Sequence, residues 1–147
     1  MANFKNKQSA EILNSVYRNA QMAYEAGSDV LKHCKNNALR QEISAQVSRY
    51  KSVAGQARQE LARRGEAAHE ASPYVKTMAK MGIAMKTAKN QSSANLARIM
   101  LQGTTMGIID MQHAVNRSHA AESRIRESAE RLLDREQDFC ESLKRYL

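Results

Sequence analysis

The stretch ANLARIMLQGTTMGIIDMQHAV, residues 94–115, is the most apolar part of the chain and decides its fold. Leu96, Ile99, Gly103 and Met106 recur at steps of three and four, one stripe of an α-helix. Leu101, Ile108, Met111 and Val115 form a second stripe, so the segment reads as a helix wet on almost no side. Such a helix requires other helices around it. The first stripe runs on into Asp110 and His113, polar residues at positions where core is expected.

Working outward, the same periodicity continues in both directions. Ala10, Leu13, Tyr17, Ala20 and Tyr24 predict a first helix over residues 4–26. Gly27-Ser28 reads as a helix stop followed by an N-cap, which makes the next helix an antiparallel neighbour. That second helix is expected over residues 29–64, ending on Arg63, Arg64 and Gly65. Ser72-Pro73 predicts the start of a short helix to about residue 89, carrying Val75, Met78 and Met85 on one side. Ser92 or Ser93 is expected to cap the buried helix. Asn116–Ser118 reads as a turn, and residues 119–147 as a last helix with Ile125, Leu132, Glu136, Phe139 and Leu143 on its stripe.

The chain has 147 residues, one Pro, no Trp and two Phe, which favours an all-α protein forming one domain over residues 1–147. Two tight turns separated by a connection of about 25 residues predict an up-down pair, a crossover with its own short helix, and a second up-down pair, the ferritin-like four-helix bundle. The alternative is a plain up-and-down bundle in which residues 73–89 pack as a fifth helix.

No apolar run reaches the ~18 residues of a membrane span, and the opening MANFKNKQSAE lacks the apolar core of a signal peptide. A cytoplasmic location is expected, in keeping with two distant cysteines that form no disulfide framework. The formal net charge of +8 raises a nucleic-acid or other anion-binding surface. The basic residues alternate with acidic ones along every helix, without interleaved aromatics, which favours ordinary solvated faces. No nucleophile elbow, phosphate loop or CxxC occurs.

The run KNQSSANLARIMLQGTTMGIIDMQHAVN, followed by SAERLLDREQDFCESLKRYL, resembles a bacterial, Firmicute-type family of ferritin-like domains with no assigned activity. The resemblance implies the ferritin-like fold and assigns no reaction. Di-iron members of that superfamily place Glu on two helices and Glu-x-x-His on the other two. None of the four long predicted helices contains Glu-x-x-His; the nearest pattern there is Asp110-x-x-His113. The expected function is a non-catalytic helical bundle that binds a protein partner or pairs with itself, with Ile12 or Tyr146 on a pairing face. The alternative is a metal-binding bundle in which Asp110 and His113, with Glu136, hold iron, manganese or zinc. Each candidate also has a plainer reading. Asp110 and His113 can form a hydrogen-bonded pair beside Arg117 or Glu122, and Glu136 can snorkel from a stripe edge. Cys34 and Cys140 are expected at one end of the bundle, as a thiol pair or soft-metal site, or simply as small buried hydrophobes. The methionines of residues 78–111 can serve as Cu(I) thioethers or as adaptable core filling.

Overall fold

An amphipathic chain with few breakers folds into long helices whose apolar stripes must meet. The computed structural model describes residues 2–69, 76 and 89–147. Among them are four helices and no strand: α1 (Ala2–Leu31), α2 (Asn37–Arg63), α3 (Ser93–Arg117) and α4 (Ser123–Lys144). The expected short helix over 73–89, with Met78, Met81 and Met85, lies outside the described residues apart from Lys76 and Lys89.

The first boundary differs from the sequence expectation. Gly27-Ser28 does not end α1, which runs on to Leu31, and residues 32–36 make the turn. Gly27 serves packing: a Cβ built there falls 2.6 Å from Val47 Cγ2, so the missing side chain lets α1 and α2 approach closely. Ser28 donates its hydroxyl to the Tyr24 carbonyl within the helix and caps nothing. The cap of α2 is Asn36, whose side-chain oxygen accepts from the Leu39 backbone N–H. Arg40 donates to the carbonyls of Leu31 and Cys34, placing a cation at the C-terminal end of α1. At the other predicted cap, Ser92 accepts from Asn95 N–H and opens α3. The last helix is shorter than expected, because residues 118–122 form the turn that leads into it.

Cross-helix contacts fix the directions. Gln8 and Ser9 reach the backbone of Ala120 and Glu122, while Asn19 reaches Asp110, so α1 and α3 are antiparallel. Glu42, Tyr50 and Arg64 of the α2 region bond Arg145, Glu136 and Glu122, so α2 and α4 are antiparallel. The turn at 32–36 makes α1 and α2 antiparallel as well. The order is up, down, down, up. The end of α2 and the start of α3 therefore lie at opposite poles of the bundle, about 40 Å apart for a helix of 27 residues.

Two apolar clusters fill the interior, and each draws on all four helices. One includes Leu13, Tyr17, Leu61, Val115, Ile125 and Leu133. The other includes Val30, Leu39, Ile43, Leu96, Phe139 and Leu143. Ile12, expected on a pairing face, is buried in the first. α3 is not wet on almost no side: Leu96, Ile99, Met111 and Val115 are buried, but Met106 and Ile109 are 71% and 64% exposed.

The close contact at Gly27 predicts opposite outcomes for two glycine substitutions. Gly55, inside α2, has nothing within 4 Å of a built Cβ. Gly55→Ala should stabilise the fold by about 0.5–1 kcal/mol through helix propensity. Gly27→Ala gains the same propensity but forces α1 from α2, and should destabilise by about 1 kcal/mol net. Urea denaturation of both variants measures the two signs.

Candidate functional site

Two carboxylates singled out from the sequence make hydrogen bonds between helices, one buried in the core and one half-buried. The first is Glu136. It neither snorkels nor sits at a stripe edge: it is 5% exposed, at mid-length of α4. Tyr50, 3% exposed at the centre of α2, donates its hydroxyl to Glu136 Oε2 at 2.8 Å. Neither residue belongs to an apolar cluster, and the pair forms a polar joint in the core. Burial pushes the Glu136 carboxyl up to about 7, against opposing effects of the Tyr50 hydrogen bond and the positive charges of Arg135 and Arg49. Burial, with the neighbouring carboxylate, pushes the Tyr50 phenol far above its ordinary range, so it stays a neutral donor. Thr104 of α3 hydrogen-bonds the Met100 carbonyl in the same buried region.

The second is Asp110. Its Oδ2 accepts from Ser15 at 2.9 Å, Arg18 at 2.6 Å and Asn19 at 2.6 Å, all on α1. Gly107 lies one turn before it, with Asn19 against the position a Cβ would take, so the absent side chain gives the amide room beside α3. Partial burial would raise the Asp110 carboxyl, but the bonds from Arg18, Asn19 and Ser15 outweigh it and hold the group below its ordinary range. The carboxylate thus joins α1 to α3.

His113 is not brought to Asp110. It is exposed, and its Nε2 lies 3.4 Å from Arg117 Nη1. Glu136 is engaged with Tyr50 rather than with either. Among the described residues no group of three His, Cys, Asp or Glu side chains is arranged to hold a metal ion. One Glu-x-x-His spacing does occur in the chain, at Glu66–His69. It lies in the non-helical link after α2, where a three-residue step does not bring two side chains to one helix face. The His69 backbone N–H is bound there by Asn14 Oδ1 at 2.7 Å.

Cys34 and Cys140 are both buried and free. Each thiol has a partner of its own. Cys34 Sγ lies 3.7 Å from the Asn36 carbonyl, and Cys140 Sγ lies 4.0 Å from Thr105 Oγ1. Burial raises both thiols above their ordinary value, which disfavours the nucleophilic thiolate.

Sequence patterning does not find the partners Tyr50, Ser15, Arg18 and Asn19. The available signal was a Ser-x-x-Arg-Asn group on the helix that must pack against Asp110. A further surface feature lies on α3. No charged residue occurs from Ile99 to Ile109, and the outward side of this run exposes Met106 and Ile109 beside Gly103.

No family model, curated protein or solved structure matches the chain.

The buried carboxyl gives a signed pH effect. Glu136 takes up its proton at about 7 in the fold, against the usual 4.5 in an unfolded chain. Between those values the native state holds a proton that the unfolded chain has released. Its contribution is therefore complete below about pH 4.5 and lost as pH rises through about 7, by roughly 3 kcal/mol in all. Glu136→Gln keeps an acceptor for Tyr50 and removes the titration. The stability of this variant relative to wild type should climb across that window and level off above it, as read by urea denaturation at a series of pH values. A flat difference curve contradicts the assignment.

Proposed function

We propose that this chain is a non-catalytic helical-bundle protein of ferritin-like connectivity that works by self-association, pairing through the outward face of α3. The up-down-down-up order, which puts the end of α2 and the start of α3 at opposite poles, supports the ferritin-like reading. Glu136 is committed to Tyr50 and Asp110 to the Arg18 group, which supports a structural role for them rather than a ligand role.

The observation that carries the self-association reading is the absence of charge on α3 from Ile99 to Ile109, with Met106 and Ile109 exposed within this run. A second copy of this chain also carries a formal charge of +8, so most approaches between copies are repulsive. The uncharged face lets two copies meet with apolar side chains against each other. Gly103, with open space around its Cβ position, allows the helices close together. A two-fold pair of this kind is closed and uses the same patch on both copies.

Sedimentation velocity tests the reading. The wild-type protein should show about twice the 16.5 kDa chain mass at micromolar concentration. Met106→Lys with Ile109→Lys should sediment as a monomer with unchanged helicity and a melting midpoint that no longer depends on protein concentration, because both side chains lie outside the core. A wild-type monomer up to millimolar concentration, or a double variant that still pairs, overturns it.

A further inference from the structure

A groove of about 270 Å³ opens where α1, α2 and α4 meet, and no residue of α3 lines it. Its floor is apolar, built from Ile12, Leu13 and Val16 of α1 with Val53, Ala57 and Leu132. Its α4 edge is basic: Arg124, Arg131 and Arg135 line it beside Ser128. These positions follow one another at helical spacing, so the cations form a row along one side of the floor.

A single carboxylate, Glu60, faces them from α2. It is already occupied, accepting from Arg124 at 2.7 Å and from Arg63 and Arg64 at 3.2 Å each. The bond from Arg124 chiefly holds its carboxyl below the ordinary range. Arg131 and Arg135 are exposed, and neither is engaged by a carboxylate side chain in an ion pair among the described residues. The groove therefore offers an apolar trough with two available guanidinium groups at its rim.

We infer that this groove binds a short alkyl carboxylate, its tail along the floor between Ile12 and Leu132 and its head on Arg131 and Arg135. The planar guanidinium fork matches a carboxylate with two parallel bonds, which an uncharged or cationic head cannot accept. The volume falls just below the roughly 300–1,000 Å³ of sites for drug-sized ligands, which restricts the tail to a short chain. The site is separate from the α3 face and stands or falls independently of self-association.

The test is a two-dimensional amide NMR titration of the whole chain with octanoate, octanol and octyltrimethylammonium. Octanoate should produce saturable shifts at Ile12, Val53 and Leu132, and bind at least about tenfold more tightly than octanol. The ammonium compound should not bind. Affinity should rise about fourfold per methylene from hexanoate to octanoate as apolar surface is buried. Arg131→Glu with Arg135→Glu should abolish the preference for octanoate over octanol. Ser128→Trp, at an exposed groove position, should block both ligands while leaving the fold intact. The inference is overturned by three results: no saturable shift at the groove, equal affinity for octanoate and octanol in the wild-type protein, or an unchanged preference in the double arginine variant.

Discussion

The hydrogen bond from Tyr50 to Glu136 is the constraint around which the rest of the bundle is arranged. A carboxyl in an apolar interior is tolerated only with a partner, so the side chains at the centres of α2 and α4 must stand at one level. That fixes how far one helix slides along the other. Apolar contacts alone tolerate a shift of one turn, whereas a single buried acceptor and donor do not. The two apolar clusters then fill the bundle with the pair between them in sequence register, and both recruit residues from every helix.

The pole where α2 ends is tied by charge. Arg64, with a side chain only 8% exposed, donates to Asn6 of α1, to Glu60 of α2 and to Glu122 at the start of α4. Its guanidinium hydrogen bond lowers the Glu122 carboxyl below the ordinary range. Nearby, two backbone N–H groups of the turn between α3 and α4 are bound by α1: Gln8 accepts from Ala120, and Ser9 from Glu122. The first helix thus supplies the polar groups that the last connection lacks within itself.

The helical class, the Ser92 cap and most stripe residues were legible in the sequence, because period and capping chemistry are local. The end of α1 was not. Gly27 looks identical whether it terminates a helix or admits a neighbour, and only the position of Val47 distinguishes the two. Asn36 carries a cap signal, but the stronger Gly-Ser pattern nine residues earlier competes with it. Hydropathy counts Met106 and Ile109 of α3 as core, whereas their exposure depends on how many helices surround it. Asp110 and Glu136 were picked out as polar residues on apolar stripes. Their roles were hidden because their partners lie 86 to 95 positions away in the chain.

The up-down-down-up order also separates the ends of the described fold. α1 begins at the pole of Arg64, whereas α4 finishes at the opposite one, beside Glu42. The two helices run parallel, and α4 alone spans about 33 Å over its 22 residues. A chain joining the end of α4 to the start of α1 has to cover that distance, about ten fully extended residues at the least. Polypeptide attached at the two ends would therefore leave the bundle from opposite poles.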